Sequence, residues 1–443
     1  MNSSGCFVAL AALITLVGCD QHDMPSQPSS ATRSQPSDAP PASVAAFNEG
    51  AITLDELFLQ VNASEFSFGG LYYRPDGKLE IALADTLRRP QAVAVARRLL
   101  GAMPGLNDNV DVRKVDYTFQ QLSDWRALLQ SRAEWMRLVR TDDVDELENR
   151  LRVGVIDDAS VAYLRRALTA AGVPSKALTV VVAPRLAPSQ SIDNRAFSSL
   201  VGGASLGHCT IGFTVVSGGL SYFFTNSHCT AFTGSDAGNI GGVNTTLQYY
   251  QPDPANGVVG QEAYDPLPSP TLAGCSIGDT CRLSDAAMIR VQNRPISLGD
   301  IALTTLNSVT FTGYTRIVGE ITLGTSPSPP YLILAAGTQL QKTGRTTGTT
   351  AGTIVSSCEN RGLGTDPRTG LEVRLLCQHQ ADFASAGGDS GSPVFVPPNS
   401  SGQTYLVGIY HSGGCDPVSG ICRAGFSSLS SVRAEFPQFS IKP

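Results

Sequence analysis

Every cysteine beyond position 19 falls between residues 209 and 422, and the set is even: Cys209, Cys229, Cys275, Cys281, Cys358, Cys377, Cys415 and Cys422. In an exported chain such a set reads as four disulfides. Eight cysteines allow about 105 pairings. Nearest-neighbour pairing closes four short loops and is the pairing expected here. A zinc site is the rival, but there is no Cys-x-x-Cys pair and the chain has only five histidines. The cross-links therefore constrain the second half of the 443-residue chain and leave the first half to fold without them.

Export is written into the first residues. Phe7 to Val17 is an apolar run, too short to span a bilayer and long enough for a signal-peptide core. It ends in Leu16-Val17-Gly18-Cys19, which resembles the bacterial lipobox. That resemblance implies cleavage before Cys19 and acylation of Cys19. The alternative is an ordinary secretory signal with a chance cysteine, and the absence of Lys or Arg ahead of the run is a departure from the pattern. Asp20 follows; in enterobacterial lipoproteins an Asp there implies retention at the inner membrane. Residues 1–18 are thus expected to be a signal peptide. Residues 19–45, rich in Gln, Pro, Ser and Ala, form a flexible tether. The expected location is the bacterial cell envelope, with a lipid anchor in the membrane, or outside the cell after processing. A net charge of −6 with no Lys/Arg block gives no reason to expect a nucleic-acid partner.

The rest divides by composition. Residues 46–200 carry 39 charged side chains in 155 positions, against 27 in 243 for residues 201–443. The first segment reads as α+β. Leu71-Tyr72-Tyr73 and Leu79 to Ala82 flank Pro75-Asp76-Gly77, a hairpin signal. Helical patterns run from Pro90 to Met103, Phe119 to Val139 and Ser160 to Ala171, and Leu151 to Ile156 and Leu178 to Ala183 look like strands. The second segment is rich in Gly, Ser and Thr. Short β-prone runs recur at Ile211 to Val216, Ser221 to Thr225, Ala286 to Val291, Tyr331 to Ala335, Val394 to Val396 and Tyr405 to Tyr410. That is the pattern of an all-β sandwich or barrel.

Three short stretches carry chemistry. Gly387-Gly388-Asp389-Ser390-Gly391-Ser392-Pro393 surrounds a serine with glycines, which permits a tight turn that aims the Gly388 and Ser390 N–H groups at one spot. A Gly/Ser surface turn is the bland alternative. A general base is expected at His228, in Thr225-Asn226-Ser227-His228-Cys229, where a disulfide at Cys229 would fix the backbone. Asp285 precedes the apolar run Ala286-Ala287-Met288-Ile289, which would bury its carboxylate. A nucleophilic serine needs such a base and such an orienting acid. Their chain order, His then Asp then Ser, is that of chymotrypsin rather than of subtilisin or the α/β-hydrolases.

On these motifs the segment from 200 to about 435 resembles the secreted bacterial branch of the chymotrypsin family, the streptogrisin and α-lytic protease group. Leu200-Val201-Gly202-Gly203 resembles a mature N-terminus, Cys209-Thr210-Ile211-Gly212-Phe213 a first strand, and Ser284-Asp285-Ala286-Ala287 the aspartate segment. Lys342-Thr343-Gly344-Arg345-Thr346-Thr347-Gly348 matches this branch closely. The resemblance implies two six-stranded antiparallel β-barrels over residues 201–443. It implies a catalytic triad of His228, Asp285 and Ser390, an oxyanion hole at Gly388 and Ser390, and peptide hydrolysis through an acyl-enzyme with no metal or cofactor. It also implies a buried ion pair of Arg345 with Asp389, in place of the N-terminal amine of animal relatives. Asn226-Ser227 departs from the usual residue before the histidine, and Gln341 and Ala351 stand where many relatives have a disulfide. Residues 46–200 resemble, more weakly, the pro-regions of the same group through Val115-Asp116-Tyr117, Ser123-Asp124-Trp125 and Asn149-Arg150-Leu151. This implies a folding assistant and inhibitor, cleaved near Phe197 to Val201. All-β barrels fold slowly because their contacts are remote in sequence.

The resemblance also places a specificity pocket at Ser385, His411, Ser412, Gly413 and Gly414. Ala384 stands where a trypsin-like enzyme has Asp. His411 resembles the histidine of glutamate-specific members, and with Ser385 it offers hydrogen bonds to a substrate carboxylate. A pocket for medium apolar residues, with His411 packed beside it, is the alternative. Partners are protein or peptide substrates and the chain's own pro-region. Two other classes remain in view: a pseudoprotease that binds peptides, and an esterase of another fold, which would want Gly-x-Ser-x-Gly and a different residue order.

Overall fold

The computed structural model describes residues 54–442 apart from 75, 101–104, 183–194, 231–240, 244–246, 323–333, 367 and 416–420. The expected signal peptide, the tether, Cys19 and residues 46–53 lie outside the described residues. Among the described residues no helix is long and apolar enough to cross a membrane.

The first segment is α+β. Its elements are α1 (Leu54–Ser64), β1 (Phe68–Tyr73), β2 (Leu79–Leu83), α2 (Arg89–Leu100), β3 (Asp111–Lys114), α3 (Phe119–Gln130), α4 (Ala133–Met136), β4 (Val139–Asp145), β5 (Arg150–Val155), α5 (Asp158–Ala170) and β6 (Leu178–Val182). The β1/β2 hairpin closes around Asp76-Gly77, with Tyr73 opposite Leu79. α3 begins at a reciprocal capping box between Thr118 and Gln121, which satisfies two N–H groups that a helix start leaves open. β5 carries Leu151, Val153 and Val155 inward against Leu164 and Leu168 of α5.

The second segment is mostly strand. It contains β7 (Leu200–Gly202), β8 (Ser205–Leu206), β9 (Cys209–Thr210), β10 (Thr214–Ser217), β11 (Leu220–Thr225), β12 (Gln248–Tyr250), β13 (Val258–Tyr264), β14 (Asp279–Arg282) and β15 (Ala287–Val291). After these come β16 (Ile296–Thr304), β17 (Phe311–Glu320), β18 (Gln339–Gly344), β19 (Gly348–Thr365), β20 (Glu372–Ala381), β21 (Pro393–Phe395), β22 (Gln403–Cys415), β23 (Cys422–Ser428) and α6 (Leu429–Glu435). One sheet has the order β10-β11-β15-β13-β12. A larger one runs β14-β20-β23-β22-β21-β18-β19 and continues through β4-β5-β6 of the first segment. β16 and β17, absent from the sequence-based reading, pair with each other and join β7 and β22.

The two segments meet along the β19/β20 hairpin. Asn360 and Arg361 of β19 pair with Asp142 and Thr141 of β4. The Cys358–Cys377 disulfide of that hairpin packs into the same apolar cluster as Phe58, Phe119 and Val144. Polar contacts add to this. Arg126 is buried and donates to Asp142 Oδ1 at 2.7 Å and to the Cys358 carbonyl at 3.1 Å. Ser356 and Ser357 donate to Asp143 and Glu146 at 2.7 and 3.2 Å.

Leu200 is fully buried and opens β7, where it pairs with Ile296. The expected boundary between residues 200 and 201 therefore falls inside a strand. Upstream, Phe197 stacks edge-on to Phe311 at 5.8 Å and its N–H donates to Gln251 Oε1 at 3.0 Å.

Candidate active site

Antiparallel pairing of β11 with β15 sets Thr225 opposite Ala287. The residues just after β11 and just before β15 therefore share one end of the pair. His228 lies in the single turn Ser227–Cys229 that follows β11, and Asp285 lies two residues ahead of β15. Asp285 Oδ2 is 2.5 Å from His228 Nδ1, and Oδ1 accepts the His228 backbone N–H at 3.1 Å. Asp285 is fully buried. Burial pushes its carboxyl up, but the His228 charge and hydrogen bonds outweigh that and hold it at about 2. An ionised acceptor on Nδ1 fixes the imidazole tautomer that leaves Nε2 free to accept a proton.

Ser390 reaches the same place from the other sheet. Tyr410 N–H donates to Ser392 O and Gly391 N–H to Tyr410 O, both at 2.9 Å, so the serine loop lies along β22. Ser390 O accepts from Thr210 N–H at 2.8 Å, and Ser390 Oγ donates to His411 O at 3.3 Å. The Cys229 sulfur is 4.0 Å from Ser390 O and within 4.8 Å of a His228 ring nitrogen. His228 and Asp285 are thus in direct contact, and the Ser390 backbone borders the Cys229 sulfur beside them. The sulfurs of Cys209 and Cys229 beside them are joined to each other, so they are not thiolate ligands for a metal. The other cysteines pair as 275–281, 358–377 and 415–422, the expected nearest-neighbour scheme.

The loop before Ser390 is fixed through Asp389. Its Oδ1 accepts from Thr346 N–H at 2.8 Å and Thr347 N–H at 3.1 Å, while Oδ2 accepts from Thr347 Oγ1 at 2.7 Å and Ala386 N–H at 3.0 Å. The cation on this carboxylate is Lys342, with Nζ 2.9 Å from Oδ2 and both side chains fully buried. This corrects the expected Arg345–Asp389 pair. Lys342 is in β18, opposite Val394 of β21, with its side chain buried; Arg345 lies beyond the strand end, half-buried. Arg345 instead lies against Gly388, where an added Cβ would be 3.1 Å from its Nη1. Gly388 has φ +96°, the left-handed region that favours glycine. Its carbonyl accepts from Thr210 Oγ1 at 2.9 Å, and Gly387 O from Thr346 Oγ1 at 2.7 Å.

The expected pocket residues gather on β22 and the loop before Ser390. Ser385 is buried beside the Tyr410 hydroxyl. His411 is 1% exposed, with Nδ1 2.6 Å from Ser412 Oγ. Gly413 O accepts from Tyr410 OH at 3.2 Å, and Gly414 pairs with Arg423. Burial, and then the neighbouring Arg361 charge, push His411 down to about 3.

Sequence reasoning missed the groups that hold the pair of His228 and Asp285. Asn226 donates to the Asp285 carbonyl at 2.5 Å, and Ser427 Oγ accepts the Asp285 N–H at 3.0 Å. Ser227 Oγ donates to Asp265 at 2.8 Å. Asp265 in turn takes Arg282 Nη1 at 2.8 Å, and Arg282 Nη2 reaches Glu435 at 3.2 Å. The departure at Asn226-Ser227 was the visible signal: both side chains are buried and hydrogen-bonded.

No family model and no curated protein sequence matches this chain. Solved structures do. A protein described as a glutamic acid specific serine protease that utilizes a novel histidine triad in substrate binding is 19% identical, with 53% of this chain and 95% of that one covered and a TM-score of 0.35. The Nocardiopsis protease is 20% identical, covering 55% and 100%, with a TM-score of 0.35. Cellulomonas bogoriensis chymotrypsin is 20% identical, covering 53% and 93%, with a TM-score of 0.32.

Proposed function

We propose that residues 201–443 carry a serine endopeptidase with His228, Asp285 and Ser390 as its triad, made as a pro-enzyme whose pro-region lies within residues 46–200. The observation that carries this reading is the buried Asp285 carboxylate on His228 Nδ1, beside a serine in a glycine-rich loop. Ser390 Oγ adds to the scissile carbonyl as His228 Nε2 takes its proton. The Gly388 and Ser390 N–H groups stabilise the oxyanion. The protonated His228 then gives its proton to the leaving amine, and water repeats the sequence on the acyl-enzyme. Ser390 Oγ turns from the His411 carbonyl toward His228 when substrate binds; such hydrogen bonds tighten only in the complex. The β strands of 201–443 are read as two barrels, with the site between them.

The contacts of β4 and Arg126 with the β19/β20 hairpin support a pro-region that templates this half. Four disulfides support export. Cys19 is the proposed lipid anchor, lost to the protease once the pro-region is cut away. The residue before the scissile bond is acidic, held at a pocket of Ser385, His411, Ser412, Gly413 and Gly414. The buried His411 Nε2, with no hydrogen-bond partner among the described residues, favours this over a medium apolar residue.

A fluorophosphonate probe tests the class. It should label wild type at Ser390 and leave Ser390→Ala unlabelled, and peptidase kcat should fall by about 10⁶ in that variant. Equal labelling of both proteins, or activity within about tenfold of wild type, refutes the reading.

A further inference from the structure

His411 Nε2 and Arg361 Nη1 are buried beside the pocket and have no hydrogen-bond partner among the described residues. They come from different strands, β22 and β19, and meet at Gly425 of β23. A Cβ at Gly425 would collide with Arg361 Nη1 and lie 2.8 Å from His411 Cε1. Gly425 pairs with Ser412, the neighbour of His411, so this is the wall of the expected pocket. Only a glycine there lets the guanidinium reach it.

Leaving such donors without partners is costly, and more so for a charged guanidinium whose Nη1 is buried without a matching anion. An acid that feels the Arg361 charge is Glu359, two residues back on the same strand. It is buried, it accepts from Gln380 Nε2 at 3.0 Å, and burial pushes its carboxyl up to about 7. It is therefore an incomplete counter-charge. His411 is a poor cation for its own reasons: it is desolvated and lies near the Arg361 and His228 charges, with the Asp285 charge opposing them. A neutral ring that accepts the Ser412 hydroxyl at Nδ1 keeps a proton on Nε2 and remains a donor.

We propose that Arg361 is a specificity-determining residue, whose Nη1 acts with His411 Nε2 to bind the side-chain carboxylate of a glutamate or aspartate before the scissile bond, Arg361 supplying the positive charge. This rests on the peptidase reading above. Arg361 and His411 are two donors that converge on one place, as carboxylate recognition requires. His411 then orients the carboxylate rather than neutralising it. Tyr410, which also feels the Arg361 charge, and Glu359 complete the charged and titratable surroundings, with His228 and Asp285 on the side of the reacting serine.

The test is kcat/KM for peptides that differ only in Glu, Gln or Leu before the scissile bond, with the protein matured from the full chain. Wild type should prefer Glu to its isostere Gln. Arg361→Gln should lower the Glu/Gln ratio about ten- to a hundredfold, as for a hydrogen bond between charged groups, with the Leu peptide unaffected. Arg361→Lys should fall between. The wild-type ratio should also stay level from about pH 6 to about pH 9, because arginine keeps its charge there. Titration of His228 divides out of the ratio. A ratio unchanged in Arg361→Gln overturns the proposal with the peptidase intact. So does a wild-type ratio that falls as pH rises through the histidine range, and that profile needs no variant. A wild type that cleaves no peptide and takes no probe at Ser390 overturns the peptidase reading itself.

Discussion

Lys342 Nζ lies 2.9 Å from Asp389 Oδ2, and neither side chain meets solvent. Asp389 precedes the proposed nucleophile, so this ion pair sets the backbone that carries the Gly388 and Ser390 N–H groups. Removing one partner of such a pair leaves a buried charge and costs about 3–5 kcal/mol. Lys342→Met should therefore unfold the Ser390 loop or abolish probe labelling. Arg345→Met should cost less, because Arg345 is half-buried against Gly388. Thermal melts and probe labelling of both variants check the order. A Lys342→Met protein as stable and reactive as wild type sinks the assignment.

The same logic applies behind His228. Arg282 is 1% exposed and is the cation between Asp265 and Glu435. Glu435 also accepts from the Leu283 and Ser284 N–H groups at 2.6 and 3.1 Å, so the network fixes the turn that presents Asp285. Arg282→Met leaves the buried Asp265 and the partly buried Glu435 without their cation. A loss of about 3–5 kcal/mol in urea melts is expected. A change under about 1 kcal/mol would show that those carboxylates are neutral or solvated instead.

How much of this was legible follows from how local each signal is. His228, Asp285 and Ser390 each sit in a short motif, and the Asp76-Gly77 turn gave away its hairpin. Whether Lys342 or Arg345 meets Asp389 depends on which residue the β18 strand turns inward, and a three-residue difference along the Lys-Thr-Gly-Arg run is enough to exchange them. Arg282, Asp265 and Glu435 come from three distant stretches, as do Arg361, His411 and Gly425. Nothing in a single sequence marks such convergence. β16 and β17 went unread because Gly and Thr interrupt their apolar positions. The β run expected from Tyr331 to Ala335 lies partly outside the described residues, and its end, Leu334 and Ala335, is buried loop.

The position of Phe197 predicts the processing site. Its ring packs on Phe311, its N–H and the Arg195 carbonyl both bond Gln251, and Leu200 is already in a strand. A cut within Phe197 to Val201 would break into this packing. Cleavage should fall before Phe197, and N-terminal sequencing of the matured protein checks it. A mature chain that starts after Phe197 contradicts the prediction.

The last prediction concerns pH and the interface between the two segments. Five carboxyls cluster there, all raised first of all by burial: Asp55 to about 7, Asp145 to about 6, Glu359 to about 7, and Asp143 and Glu146 in the same direction. Arg126 and Arg152 oppose the shifts without cancelling them. An acid with a raised folded-state value holds its proton more tightly when folded than when unfolded. Its stabilising contribution is complete below the ordinary carboxylate range and is lost as pH rises through the folded value. The first segment should therefore hold the β19/β20 hairpin more firmly at pH 5 than at pH 8, loosening through pH 6 to 7. Both tryptophans of the chain, Trp125 and Trp135, lie in the first segment, so their fluorescence reports on that segment. In urea melts of the full-length Ser390→Ala protein, the tryptophan transition should lose about 1–3 kcal/mol between pH 5 and pH 8. Asp55→Asn should flatten part of that dependence, since an amide has no proton to lose. A transition that holds steady or strengthens toward pH 8 would mean these carboxylates are ionised in place, with Arg126 and Arg152 dominating the interface.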